Sequence, residues 1–227
     1  MSEHRFYACH GKRWFDVVVS AAGLVVLGIP MAAIGLAILL IDGPPVLFRQ
    51  QRIGRHGKVF TVYKFRSMTN RQTKSSTITV AGDVRVTRLG RWLRRLKLDE
   101  LPQLFNVLKG DMSFVGPRPD MPGYMDKLDE TARALLELRP GITGPATLAF
   151  RNEEALLAQA ADPQTYNDQV IFPEKVRLNL EYMRNLSLLN DLRCILQTML
   201  PAQDTAREPS HSLPASIKAP VNESPDE

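Results

Sequence analysis

The stretch FDVVVSAAGLVVLGIPMAAIGLAILLI, Phe15–Ile41, decides how the rest of the chain is read. Asp16, at its edge, is its only charged residue. A straight helix of this length would be about 40 Å long, enough to cross a hydrocarbon core of about 30 Å. With no polar face, it predicts membrane contact rather than a soluble core helix. Lys12 and Arg13 precede it, and Arg49, Arg52, Arg55 and Lys58 follow it. Positive residues on both flanks favour the same, cytoplasmic side, so simple spanning frustrates one flank. Pro30 sits mid-segment after Gly28, where a missing backbone donor and a ring clash favour a bend. Each arm would be roughly 17–22 Å, too short to cross alone. The expectation is a re-entrant hairpin bent at Pro30, and the alternative is a mildly kinked spanning helix. A cleaved signal peptide fits less well, because the apolar run exceeds an h-region of about 7–15 residues and a charged run follows it.

Outward from this segment, the composition bounds the remainder. At 227 residues the chain suits one domain with appendages. A hydrophobic share of 44% and a charged share of 23% suit a folded protein, and a net charge of +5 favours anionic partners such as phospholipid, nucleotide or nucleic acid. Two distant cysteines, Cys9 and Cys194, imply neither a disulfide framework nor a cysteine-rich zinc site, which points to reducing cytosol. The four histidines lack any paired metal-binding spacing.

After a turn at Asp42–Pro45, Val46–Ile53 and Lys58–Phe65 are rich in β-branched and aromatic residues and predict a small β-hairpin. Thr69–Thr79 is polar and predicts a mobile loop. Val86–Leu98 sets Leu89, Trp92, Leu93 and Leu96 against Arg88, Arg91, Arg94, Arg95 and Lys97, an amphipathic pattern suited to a membrane surface. Leu101, Leu104, Phe105 and Leu108 predict a short helix to about Lys109, stopped by Gly110. Further helices are predicted over Asp126–Leu138 and Glu153–Ala161. A long one opens at Pro173 and ends at Pro201, with Leu188, Leu189, Leu192, Ile195, Leu196 and Met199 on one face. The fold class is therefore α+β and mostly helical. Residues 1–41 form the anchor, 42–200 a cytosolic domain, and 201–227 a disordered tail rich in Pro, Ser and Ala.

The chemistry concentrates in RWLRRLKLDELPQLFNVLKGDMSFVGPRP, Arg91–Pro119. Asp99 and Glu100 adjoin a cationic run. One reading is structural: Asp99 caps a helix and Glu100 complements its dipole. The other is functional. Helix starts bind phosphate, nearby cations keep a carboxylate ionised, and an ionised carboxylate attacks phosphorus or holds Mg²⁺. Pro117-Arg118-Pro119 reads either as a stiff loop or as a guanidinium held rigidly to clamp phosphate. Lys64 and Arg66, in YKFRSM, add charge to that site or snorkel to lipid head groups.

FRQQRIGRHGKVFTVYKFRSM, GDVRVTRLGRWLRRLKLDELPQLFNVLKGDMSFVGPRP and RPGITG, in that order, resemble the bacterial sugar transferases known as monotopic phosphoglycosyl transferases. The likeness covers about Lys12 to Leu200. It implies a bacterial inner-membrane enzyme at the cytoplasmic face. Such an enzyme takes a sugar-1-phosphate from a UDP-sugar to undecaprenyl phosphate, releases UMP, and starts a glycan. It implies Mg²⁺, a nucleophile at Asp99 that forms a covalent phosphosugar, a metal-supporting Glu100, and a nucleotide and phosphate site at Pro117, Arg118 and Pro119. It also implies a re-entrant anchor among inner-membrane phospholipids. A homo-oligomer is allowed. Two departures stand out. Ile29 precedes Pro30 where the family often has serine, whose hydroxyl could satisfy a freed carbonyl. PATLAFRNEE follows RPGITG in place of a Trp-containing continuation, which points to a subgroup with its own sugar preference. Two rivals use the same basic surplus: a membrane-tethered nucleic-acid binder, for which the chain carries no recognised motif, and a non-catalytic scaffold indifferent to Asp99.

Overall fold

A computed structural model describes residues 7, 11–69, 84–121, 128 and 130–200. The predicted tail 201–227, most of the predicted loop Thr69–Thr79 and the start of the predicted helix Asp126–Leu138 lie outside the described residues. The apolar segment is a single helix, α1, Lys12–Ile41, 30 residues long with Pro30 inside it. The backbone stays helical through Pro30, so the segment is not divided into two separate helices. Its start is fastened by polar contacts. Lys12 pairs with Asp191 at 2.5 Å, and Arg13 donates to the carbonyls of Val107 and Leu108 at 2.6 and 2.8 Å. Asp16 Oδ1 accepts from Ser113 Oγ and the Phe114 N–H, both at 3.0 Å. Its far end is fastened by packing: buried Ile38 meets Phe65 and Leu93, ringed by Met31, Ile34, Val46 and Leu47. Between these ends Val25 and Ile29 are 83% and 84% exposed. An apolar helix docked at both ends and bare in the middle is not a soluble core helix.

The predicted hairpin forms within a residue of its expected bounds. β1, Leu47–Ile53, pairs antiparallel with β2, Val59–Phe65, placing Gln50 opposite Val62. A tight turn at Arg55–Gly57 reverses the chain, with His56 and Gly57 both in the left-handed region. α2, Arg88–Arg95, is capped by Thr87, whose side chain accepts from the Gly90 N–H. Gly90 lies against the backbone of Ser67, where a Cβ would meet the Ser67 carbonyl oxygen at 2.0 Å, so α2 packs directly on the chain leaving β2. α3, Gln103–Lys109, stops at Gly110, whose φ of 100° permits the left-handed cap.

A parallel pair was not expected: β3, Ser113–Val115, sits beside β4, Gly141–Thr143. Strands of three residues are too short to show an alternating pattern. Between them lie α4, Glu130–Arg133, and a 3₁₀ turn, Ala134–Glu137. α5, Pro145–Ala149, α6, Glu153–Gln159, and α7, Pro163–Tyr166, follow. The predicted long C-terminal helix is corrected to two: α8, Phe172–Arg184, preceded by a π turn at Asn167–Ile171, and α9, Leu188–Met199. Ser187, extended, ends one run and caps the next by accepting from the Asn190 N–H. α9 turns Asp191 and Cys194 inward and leaves Leu189, Leu196 and Met199 exposed.

Candidate active site

Asp99 and Glu100 lie in a 3₁₀ turn, Leu98–Glu100, entered through Lys97 in the left-handed conformation. The capping expectation is corrected here. α3 begins at Gln103 with Pro102 before it, and the Asp99 side chain makes no hydrogen bond among the described residues. Asp99 is 8% exposed. Glu100 has the opposite arrangement. Its Oε1 accepts from Lys64 Nζ at 2.8 Å and from an Arg118 terminal nitrogen at 2.7 Å.

This asymmetry separates the two acids electrostatically. Burial pushes the Asp99 carboxyl up and neighbouring Glu100 adds to it, outweighing Lys64, Arg94 and Lys97. At Asp99 burial and the second carboxylate thus outweigh the nearby cations. Burial also pushes Glu100 up, but Arg118 and Lys64 together pull it well below the usual carboxylate range. Glu100 in turn holds Arg118 firmly charged. Burial lowers Lys64, against the pull of Glu100.

Each partner is positioned by a separate element. Lys64 comes from β2, whose place is fixed by buried Asn106 of α3. The Asn106 amide accepts from the Tyr63 N–H at 3.1 Å and donates to the Thr61 carbonyl at 2.7 Å. Arg118 comes from the loop after β3. There Gly116 and Gly141 cross so closely that a Cβ on Gly141 would lie 2.2 Å from the Gly116 nitrogen. The Gly116 N–H donates to Thr143 and the Gly141 N–H to Pro117, so GPRP and RPGITG form one backbone junction. Pro117 is buried in it, and Pro119 is half-buried beyond Arg118.

Arg66 lies outside this cluster. Its guanidinium donates to the carbonyls of Asp42 and Pro44, both at 2.7 Å, and of Gly43 at 2.5 Å, which ties the end of α1 to the end of β2. That commitment makes it a brace of the anchor. Asn106 was missed in the sequence, although an amide among the inward positions of a short apolar helix is a readable signal. The Arg94–Glu154 ion pair, which brings α6 to the rim beside Asp99, had no sequence signal at all.

A long apolar helix with an exposed middle, joined to an ion-paired acid centre, defines a membrane-associated enzyme. Residues 7–203 match the family described as bacterial sugar transferase, and the chain belongs to that family. It is 36% identical over 188 residues to the uncharacterized sugar transferase EpsL of Bacillus subtilis, covering 83% of this chain and 85% of that one. It is 39% identical over 196 residues to the undecaprenyl-phosphate glucose phosphotransferase of Komagataeibacter xylinus, covering 83% of this chain and 35% of that one. With the galactosyl transferase CpsE of Streptococcus agalactiae the identity is 32%, over 88% of this chain and 43% of that one. The chain therefore spans under half the length of the last two relatives.

Proposed function

We propose that this protein is a phosphoglycosyl transferase that moves a sugar-1-phosphate from a UDP-sugar to undecaprenyl phosphate through a covalent intermediate on Asp99. The observation that carries the reading is the division of labour within the acid pair. Glu100 is committed to Lys64 and Arg118, whereas buried Asp99 has no hydrogen-bond partner among the described residues. A carboxylate raised by burial is more basic, and so a better nucleophile once ionised.

In the first half-reaction an Asp99 oxygen attacks the β-phosphorus of the donor. The bond from that phosphorus to the bridging oxygen breaks, and UMP leaves with the electron pair. In the second, a phosphate oxygen of undecaprenyl phosphate attacks the same phosphorus, and the Asp99 carboxylate is released as the leaving group. A polyprenyl-diphosphate sugar results. Arg118 and Lys64 supply positive charge where the phosphoryl oxygens gather, and Glu100 keeps both cations in place.

The donor set suits Mg²⁺, which binds through one or two carboxylates plus substrate phosphates. Asp99 and the second oxygen of Glu100 are hard donors and would hold it. When bound it supplies charge neutralisation at the diphosphate.

For the membrane, a re-entrant anchor on the cytoplasmic face of the inner membrane is supported by how α1 is held. Lys12 and Arg13 are bound to α9 and α3, and Ile38 is bound to β2 and α2, so both ends rest on one body. The exposed middle around Val25 and Ile29 is then the part set among phospholipid tails, with Trp92 of α2 and Leu96 just after it also exposed, near the acid centre in sequence.

Purified protein given undecaprenyl phosphate, Mg²⁺ and a panel of UDP-sugars tests the activity by UMP release. Release that needs both Mg²⁺ and one of the UDP-sugars is expected. No release with any of them, from folded protein, would contradict the reading.

A further inference from the structure

Beyond Arg118 the acid pair gives way to a second charged group. Asp120 directly follows Pro119, and its backbone is fixed because its carbonyl accepts the Ile53 N–H at the end of β1, at 3.3 Å. Its half-buried carboxylate makes no hydrogen bond among the described residues, although Lys175, Arg52 and Arg118 all lie within electrostatic reach. Lys175 of α8 is itself held: its Nζ donates to Glu153 Oε1 at 2.7 Å and stands 5.9 Å from the centre of the Phe150 ring. Arg118 feels Glu100 most strongly, and Asp120 and Glu153 as well. Asp120, two residues beyond Arg118 in the chain, and the paired Lys175 and Glu153 thus form a second charged group near Arg118. Phe150 and Glu153 belong to PATLAFRNEE, the segment whose departure from the common continuation the proposed reaction does not use.

We propose that Asp120, with Lys175 and Glu153, forms the wall that recognises the hydroxyl groups of the donor's sugar and so selects which sugar is transferred. This rests on the reaction proposed above, and places the sugar where that reaction leaves it. If the β-phosphate lies between Asp99 and Arg118, the group it carries can extend past Arg118 towards this wall. The chemistry suits a sugar. A carboxylate without a partner accepts hydrogen bonds from neighbouring hydroxyls, and a fixed ammonium donates to one. A site built to pair hydroxyls strongly rejects donors that cannot pair, because its buried polar groups are left unsatisfied. A merely structural role for Asp120, neutralising Arg52 and Lys175, would be blind to which sugar is present.

The test compares wild type, Asp120→Asn and Lys175→Met in the first half-reaction. UDP-glucose, UDP-galactose, UDP-N-acetylglucosamine and UDP-N-acetylgalactosamine are each added without acceptor. Initial rates of phosphosugar mass gain give kcat/KM for each donor, and inhibition by UMP is measured in parallel. The expected result is a change of tenfold or more in the ratio between the preferred donor and its competitors in both variants, with UMP inhibition altered less than threefold. A uniform fall across all four donors, or a matching loss of UMP inhibition, would overturn the proposal and assign the group to the fold or to the nucleotide. If Asp120→Asn does not fold, Lys175→Met and Glu153→Gln decide on the same criteria. Wild-type protein that gains no mass with any donor would instead overturn the covalent reaction, and this inference with it.

Discussion

Arg118 shows how much depends on one side chain. It supplies one of the two side-chain hydrogen bonds that Glu100 accepts, the other coming from Lys64. Arg118→Lys keeps the charge but loses the planar fork. A fall of tenfold or more in kcat/KM is expected, about 1.4 kcal/mol, and steady-state UMP release measures it. Wild-type activity in this variant would mean that the guanidinium does not clamp phosphate. Cys194 tests burial at the same scale. Its thiol is pushed up to about 11, by burial first and then by Asp191, so the thiolate is scarce at pH 8. In a Cys9→Ser background, a thiol reagent should leave Cys194 unmodified at pH 8 while the protein is folded and modify it once the protein is denatured. Rapid modification of the folded protein would contradict the packing of α9. The sequence displayed Asp99, Glu100 and Arg118 plainly. It did not display that burial would oppose the surrounding cations at Asp99, because burial is set by chain segments distant in sequence.

The elements around the site are held by polar contacts to backbone as well as by apolar packing such as that of Val62 against Val107 and Met112. Asn106 pairs with two main-chain groups of β2 from its seat in α3. Asn106→Ala leaves both without their side-chain partner, at about 1–3 kcal/mol for each group left unsatisfied. A drop in thermal midpoint is expected, with a loss of activity in the protein that remains folded, since Lys64 would no longer be held opposite Glu100. An unchanged midpoint would show that water replaces the amide. Elements with strong local signals were legible: the hairpin from its β-branched runs, α3 from its spacing and Gly110, and α2 from its alternation of leucine and arginine. β3 and β4 were not, since three residues carry no period. The break at Asn185–Ser187 was hidden because apolar residues continue at helical spacing through it, and only the cap at Ser187 marks the stop.

For the whole molecule, the central physical fact is that both ends of α1 are held by the rest of the chain, Lys12 and Arg13 by α9 and α3, and Ile38 by Phe65 of β2 and Leu93 of α2. Single cysteines at Ser2 and at Lys58, in a chain free of Cys9 and Cys194, should both react only with a reagent present on the cytoplasmic side. Labelling of Ser2→Cys from the opposite side would show a spanning helix. The sequence indicated the membrane segment and its conflict between two cationic flanks. It did not show that Lys12 and Arg13 are bound to α9 and α3, whose contacting residues lie 179 and 94–95 positions away along the chain. The proposed reaction turns on what Asp99 does beside Glu100. The most direct measurement is the intact mass of the folded enzyme after mixing with its UDP-sugar and Mg²⁺, with no acceptor present. Wild type should gain the mass of one phosphosugar as UMP appears, the label should map to Asp99, and adding undecaprenyl phosphate should remove it. Asp99→Asn should fold and gain nothing. An Asp99→Asn protein that still acquires the phosphosugar, or a label that maps to another residue, would contradict the assignment of Asp99 as the nucleophile.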